Sequence, residues 1–278
     1  MNTFSTSYAL VKASWQVLRQ DKEILWFPVL SAIAALLLGI GFALPMFLTS
    51  GRGSNSGPGP EALLVAFLYY LCTAFAATFF NVALISCAAI RMDGGDPTLR
   101  DGLRGAAKHW APILAWAVVS ATVGLILKSL ERRSSMVVEI VSGLIGAAWG
   151  LLTFFVVPVL IFEGKGVPSA IARSGDLFKN TSGQQVVGEA GMGVFFFLLA
   201  LIGLVPVAGG LALGAKSEAF GLGIMVLILL GVAYWVALAL VASALGAIFN
   251  LALYRFAVSG AVPEGFNQEL VANRFRAR

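Results

Sequence analysis

Six long apolar stretches constrain the fold of this chain more than any other feature of its sequence. Each contains 17 or more residues with few charges, and the polar segments between them are short. A helix needs about 20 apolar residues to cross a bilayer, and lipid offers no hydrogen bonds to an unpaired backbone. We therefore predict an all-α, polytopic membrane bundle of about six spans, forming one integral membrane domain over residues 1–278. The predicted spans are Ile24–Thr49, Ala62–Ile90, Trp110–Leu127, Met136–Phe162, Gln185–Ala215 and Ala219–Tyr254.

The composition agrees with a membrane setting. Hydrophobic residues make up 59% of the chain and charged residues 12%, and the mean hydropathy is +0.88. Soluble domains carry roughly 45–50% apolar and about 25% charged residues. A chain with half that charge has too little polar surface to cover a water-soluble globule, so we expect lipid to surround much of it.

Basic residues are divided unevenly between the two sides of the predicted bundle. Fourteen of the 19 lysines and arginines fall on the side that also carries both termini. Because Lys and Arg near span ends are retained in the cytoplasm, we predict a multi-pass protein of the inner (cytoplasmic) membrane with both termini cytoplasmic. The net charge of +5 then lies mainly on one face, where anionic membrane lipids are the expected partners. Nucleic acid is not an expected partner, because the basic residues are spread over short juxtamembrane segments.

The connections on the basic side resemble one another. A glycine turn is followed closely by a proline after the second, fourth and sixth spans, at Pro97, Pro168 and Pro263. Proline is favoured at the first helical position, so we expect each of these prolines to open a short helix. Duplication of one ancestral unit explains the pattern, and so does independent convergence on turns that membranes favour. The repeat units would be 1–92, 93–164 and 165–256, followed by an amphipathic tail, 257–278.

Short amphipathic segments accompany these turns, and we predict that they lie at the cytoplasmic membrane interface. After Pro97, apolar residues recur at helical spacing from Leu99 through Leu103 to Trp110, which predicts one apolar stripe on a helix. Asp96 immediately precedes the proline and is predicted to cap this helix. Aromatic rings favour the headgroup level, and cations bind lipid phosphates. The predicted lipid-headgroup contacts are Lys12, Trp15, Arg104, Trp110 and Arg173.

Three polar residues inside the predicted spans form a candidate intramembrane polar site: Asn81, Glu189 and Asn250. Polar groups in lipid are costly and usually face a protein interior or a watery cavity. Hydrogen bonding between helices is one interpretation of the two asparagines; a transport or ion-binding role is the other. Prolines such as Pro158 also interrupt the spans, and each frees a backbone carbonyl and can kink its helix.

Residue sets that are typical of catalysis are missing. His109 is the sole histidine, which excludes a zinc site with two or more histidines. The sequence contains neither a Gly-x-x-x-x-Gly-Lys phosphate loop nor a Gly-x-Ser-x-Gly nucleophile elbow. We therefore predict no catalytic residues, no metal ligands and no cofactor, and we expect that the chain is not an enzyme.

Three segments carry a resemblance to a known group of proteins: 7–10, 14–18 and 166–174. With these motifs the chain resembles uncharacterised prokaryotic six-span membrane proteins, a domain of unknown function. That domain is similar to the membrane region attached to some glycerophosphodiester phosphodiesterases. The resemblance covers nearly the whole chain and implies the six-span fold. The catalytic phosphodiesterase barrel has no counterpart here, so the resemblance transfers no activity and no catalytic residue.

Two functions follow from these features. The first is a non-catalytic integral membrane protein that organises lipids or partner proteins at the cytoplasmic membrane, which the basic interfacial segments favour. The alternative is a channel or transporter for a small solute or lipid, using the polar residues in the spans. Glycine rows in the spans serve contacts within one chain or between copies, so a homo-oligomer is compatible with the sequence. The sequence identifies no protein partner.

Overall fold

A computed structural model describes residues 14–50, 60–131, 136–180, 184–216 and 222–259. All regular structure in these ranges is helical, and they contain six helices that are long and apolar enough to cross a membrane. The prediction of an all-α, multi-pass membrane bundle is confirmed. The six spans are Lys22–Ala43, Glu61–Met92, Trp110–Ser129, Ile140–Glu163, Gly193–Gly210 and Gly223–Ser259.

The individual helices alternate between long spans and short surface segments. A 3₁₀ turn, Lys22–Leu25, leads into the first span, and a π-helical turn, Val159–Glu163, ends the fourth. The α-helices in chain order are α1 (14–20), α2 (Trp26–Ser50), α3 (Pro60–Met92), α4 (Leu99–Lys108), α5 (Trp110–Glu131), α6 (Met136–Leu152), α7 (Val156–Pro158), α8 (Val167–Asn180), α9 (Gln184–Ile202), α10 (Leu204–Lys216) and α11 (Leu222–Ser259).

Two helices, α3 and α11, organise the bundle. Helix α3 contacts α2, α4, α5 and α11, whereas α11 contacts α2, α8, α9 and α10 as well. The ends of α3 and α11 meet α1, α4 and α8 at one end of the bundle, which we call the polar end (residues 14–25, 91–110 and 159–180). The packed core lies next to this end and includes the fully buried rings of Phe27, Phe155 and Phe249.

Large apolar side chains cover the outside of the spans. Leu36, Leu144 and Val205 are 64%, 65% and 71% exposed, respectively. A water-soluble protein rarely exposes a continuous apolar surface of this extent. Hydrocarbon is therefore the solvent around the spans, and packing between helices rests on van der Waals contact and hydrogen bonds rather than on a hydrophobic driving force.

The fifth predicted span is interrupted, because Gly203 separates α9 from α10. At the break, the Gly203 N–H donates to the Ala200 carbonyl at 3.1 Å rather than to the Leu199 carbonyl four residues earlier, which is therefore without its usual helical donor. Two side chains of α11 also donate to these carbonyls: the Tyr234 hydroxyl donates to the Leu199 carbonyl at 2.8 Å, and the Trp235 indole N–H gives the Ala200 carbonyl a second donor at 2.9 Å. The interruption is therefore satisfied inside the protein, as lipid requires.

The turn between α3 and α4 shows how the chain reverses at the polar end. Gly94 has φ +80°, and the Gly95 N–H donates to the Ile90 carbonyl at 2.9 Å, which completes a Schellman motif. The predicted cap by Asp96 is wrong. Thr98 caps α4 in a reciprocal capping box with Asp101, because the helix begins two residues after Pro97 rather than at it.

Small residues attach α4 to α3. A Cβ atom added to Gly102 would lie 2.7 Å from Cys87 Sγ and 2.8 Å from the Ala83 carbonyl oxygen. Gly102 and Ala106 are the buried positions of the helix, one turn apart. Of the predicted apolar stripe, Leu99 packs against the core, whereas Leu103 and Trp110 are exposed.

Candidate functional site

A cavity of about 500 Å³ lies between the spans, lined by α2, α3, α5, α11 and the break between α6 and α7. Asn81 of α3 and Asn250 of α11 both line it, so the structure brings together two of the three candidate intramembrane polar residues. Three hydroxyl groups share the lining, those of Ser31, Thr78 and Ser243. The remaining walls are mostly apolar and include Phe27, Phe80, Trp116 and Val157.

Asn250 has a defined partner at the break in the fourth span. Pro158 has no N–H, so the Phe154 carbonyl four residues earlier cannot receive its normal helical hydrogen bond. The Asn250 side-chain amide donates to this carbonyl at 2.8 Å. The interaction joins two helices and satisfies a backbone group that the proline had left without a donor.

The same break exposes a backbone N–H, and α8 satisfies it. The Phe155 N–H donates to the Ser174 hydroxyl oxygen at 3.0 Å, and Ser174 is fully buried. Ser174 belongs to the buried stripe of α8 together with Val167, Ala170 and Leu177. The bend between α6 and α7 is therefore fixed from both sides, by Asn250 and by Ser174.

Asn81 differs from Asn250 in having no protein partner. Its side chain makes no hydrogen bond within the described ranges, although it is only partly exposed and lines the cavity. An amide carries two donors and an acceptor that must be satisfied in a low-dielectric setting. Asn81 therefore presents unused hydrogen-bonding capacity to whatever fills the cavity.

Glu189 is the third candidate intramembrane polar residue. The residue lies in α9, and its side chain is outside the described part of the structure. The structure thus groups the two asparagines and leaves the proposed contribution of Glu189 as a prediction.

The outer face of α4 carries a row of cations. Arg100, Arg104 and Lys108 are spaced four residues apart and are all exposed, so they lie along one row of the helix. Beside this row lie Leu103, 37% exposed, and Trp110, 58% exposed. Cations next to exposed apolar and aromatic groups are the arrangement expected of a helix at the headgroup level.

The other predicted headgroup contacts differ in their surroundings. Trp15 of α1 is 46% exposed, as expected for a ring at an interface. Arg173 is held by Glu163 at 3.3 Å, so part of its charge is already neutralised by the protein. Glu163 also accepts from Lys165 at 2.7 Å and from the Tyr254 hydroxyl at 3.3 Å. Lys12 lies outside the described residues.

Ion pairs connect the helix ends at the polar end. Arg91 forms ion pairs with two carboxylates, those of the largely buried Asp21 and of Asp96. The distance between the Arg91 guanidinium and Asp96 is 2.6 Å. Arg255 of α11 donates to both carboxylate oxygens of Asp93, at 2.5 and 3.0 Å. The Arg255 hydrogen bonds hold the pKa of Asp93 below its ordinary value, and the Thr98 hydroxyl does the same for the pKa of Asp101. The ion pairs connect the segment before the first span and the turn between α3 and α4 to the ends of α3 and α11.

Sequence reasoning missed Asp21 and Ser174 as structural partners. Asp21 lies between α1 and the first span, in a segment that reads as an ordinary polar connection. Ser174 follows Ala170 by four residues on an apolar stripe, and a hydroxyl on such a stripe is a signal for a buried hydrogen bond. No sequence signal identifies Phe155 as its partner, because that N–H becomes free only when α6 ends.

Within the described residues, no three His, Cys, Asp or Glu side chains are grouped so that they could hold a metal ion. Helical architecture and lipid-facing spans define a polytopic all-α membrane protein. Residues 61–265 match the model of DUF6159, a family of unknown function, and the chain belongs to this family. Comparisons with curated proteins and with solved structures gave no match.

Proposed function

We propose that this chain is a non-catalytic protein of the cytoplasmic membrane that organises anionic lipids at its cytoplasmic face. The observation that carries the proposal is the exposed row Arg100, Arg104 and Lys108 beside Leu103 and Trp110. Each cation near an anionic membrane surface contributes about 1 kcal/mol of attraction. Close packing of Gly102 against α3 holds α4 in place, so the three charges act as one surface.

The orientation belongs to the same proposal. Both termini and the polar end would face the cytoplasm, where anionic headgroups are available to the basic row. An acidic partner protein is the other class of molecule that such a row can recruit. The predicted likeness to the membrane region attached to some glycerophosphodiester phosphodiesterases is not needed for this function.

Lipid retention tests the proposal directly. The purified full-length chain is placed in nanodiscs that contain phosphatidylglycerol and phosphatidylcholine, and the lipids retained after mild delipidation are quantified by mass spectrometry. We expect wild type to retain phosphatidylglycerol preferentially. Replacing Arg100, Arg104 and Lys108 by Gln should remove most of this preference.

A second triple variant controls for the loss of charge. Lys128, Arg132 and Arg133, on the side predicted to lie outside, are replaced by Gln, which removes the same three charges. This variant should retain phosphatidylglycerol as wild type does. Unchanged retention in the α4 variant, or an equal loss in both variants, would contradict the proposal.

A channel or transporter for a small solute or lipid is the second candidate function. The cavity that contains Asn81 and Asn250 next to a proline-broken span favours it, because transporters often place their sites at interrupted helices. Reconstituted protein that moves a fluorescent lipid between the leaflets of a liposome would support this candidate. Leaflet exchange no faster than in protein-free liposomes would count against lipid transport.

A further inference from the structure

The cavity between the spans combines apolar walls with a few polar groups, and its described lining residues carry no charge. The lining residues that the structure describes include two asparagines and three hydroxyl residues, and none of them is Asp, Glu, Lys, Arg or His. An ion that entered this site would leave water without gaining an opposite charge, which is strongly unfavourable at low dielectric. The lining therefore selects against charged ligands.

Hydrogen-bonding capacity in the cavity exceeds what the protein uses. The Asn81 amide has no partner in the described ranges, and neither do the hydroxyls of Ser31, Thr78 and Ser243. The Asn250 amide donates to the Phe154 carbonyl, and its oxygen accepts from no group that the structure describes. A ligand in this cavity would find both donors and acceptors, which matches a hydroxyl or an amide group.

The remaining walls match a hydrocarbon segment. Phe27, Phe80, Leu84, Trp116 and Val157 provide aromatic and aliphatic surface around the polar groups. The volume of about 500 Å³ falls within the range of roughly 300–1,000 Å³ that is typical of small-molecule sites. Polar groups set in apolar walls are suited to a molecule that is itself amphipathic.

We propose that the cavity binds an uncharged amphiphile from the membrane, a neutral lipid of the monoacylglycerol type, whose hydroxyl groups bond to Asn81 and Asn250. The hydrocarbon chain packs on Phe80 and Trp116. This inference does not depend on the headgroup surface of α4, because no residue of the basic row lines the cavity.

Photocrosslinking tests the site. Full-length protein in nanodiscs is labelled with a monooleoylglycerol that carries a diazirine on its acyl chain, and the labelled peptides are identified by mass spectrometry. We expect labels on the cavity-lining segments of α3 and α11. Unmodified monooleoylglycerol should compete, whereas oleate and phosphatidylglycerol should not.

Two glycines provide a variant that blocks the cavity and its matched control. Gly246 lines the cavity and Gly143 does not. A Cβ atom added at either glycine would meet no atom within 4 Å. Gly246→Phe fills the cavity and should abolish labelling of α3 and α11. Gly143→Phe places the same ring on a different span and should leave labelling unchanged.

Asn81→Leu tests the polar contact separately from the volume. Loss of one hydrogen bond in an apolar site should weaken competition by monooleoylglycerol about ten-fold. Equal labelling of the Gly246→Phe variant and wild type would overturn the proposal. Competition by oleate as strong as that by monooleoylglycerol would also overturn it, as would undiminished competition by monooleoylglycerol in the Asn81→Leu variant. Phosphatidylglycerol retention measured on the same samples reports on the basic row, so failure of one proposal is separable from failure of the other.

Discussion

At the scale of single residues, the two cavity asparagines have different tasks. Asn250 donates to a carbonyl that Pro158 leaves without a partner, whereas Asn81 has no partner among the described residues. Their side chains are chemically identical, so the difference lies in the neighbouring backbone. Asn250 is expected to stabilise the fold and Asn81 to serve the ligand.

Asn250→Leu should lower the free energy of unfolding by about 1–2 kcal/mol, because the Phe154 carbonyl loses its hydrogen bond from the Asn250 amide. The same substitution should lower the free energy of unfolding by a smaller amount in a Pro158→Ala background, because the helix regains a backbone N–H there. Thermal unfolding of the four proteins in detergent measures this coupling. Asn81→Leu serves as the control and should change stability little. Equal costs of Asn250→Leu in both backgrounds would exclude the proposed role.

The ion pair between Asp93 and Arg255 predicts a dependence on pH. Arg255 holds the pKa of Asp93 below 3.8, so the pair stabilises the fold above that pH and its contribution is lost as the pH falls further. Because Asp93 is largely exposed, the effect should be small, about 0.2–1 kcal/mol. Unfolding of wild type and Arg255→Met is compared at neutral pH and below 3.8, and the difference between them should shrink in acid. A constant difference would contradict this assignment.

At the scale of elements, α4 packs against α3 at a glycine, where no side chain separates the two helices. Gly102 lets α4 approach the Ala83 carbonyl and Cys87 of α3 so closely that a methyl group would collide with both. Close approach through small residues is the common means of packing helices in lipid. Leu103 and Trp110, which the sequence places at the membrane interface, remain exposed.

Substitution of two helical glycines by alanine should have opposite effects. Gly102→Ala should destabilise the protein by about 1–3 kcal/mol, because α4 must move away from α3. Gly143→Ala meets no atom within 4 Å and should be neutral or stabilise by up to about 1 kcal/mol. Melting temperatures in detergent give both values, and a stabilising Gly102→Ala would refute the packing described for α4.

At the scale of the whole molecule, the uneven distribution of basic residues predicts the orientation in the membrane. Single cysteines are introduced at Ser56 and Ser169 after Cys72 and Cys87 have been replaced by Ala. A membrane-impermeant maleimide should label Ser56→Cys in intact cells and Ser169→Cys, at an exposed position of α8, only after permeabilisation. The reverse pattern would invert the proposed orientation and remove the basic row from the cytoplasm.

The sequence by itself determined the helical class, the six spans and the short helices between them. These properties depend on local composition, since about 20 apolar residues in a row select a spanning helix whatever lies elsewhere in the chain. The presence of proline and asparagine in the spans was equally readable. The repeat units 1–92, 93–164 and 165–256 remain a prediction.

Only the tertiary structure decided which groups satisfy the interrupted helices and where the cavity lies. Asn250 and Phe154 are 96 residues apart, and Arg91 and Asp21 are 70 apart, so no local pattern links them. The capping residue of α4 also depended on where the chain turned, and Thr98 rather than Asp96 reached the free N–H groups. Hydropathy is a property of neighbours in sequence, whereas a hydrogen-bond partner is a property of neighbours in space.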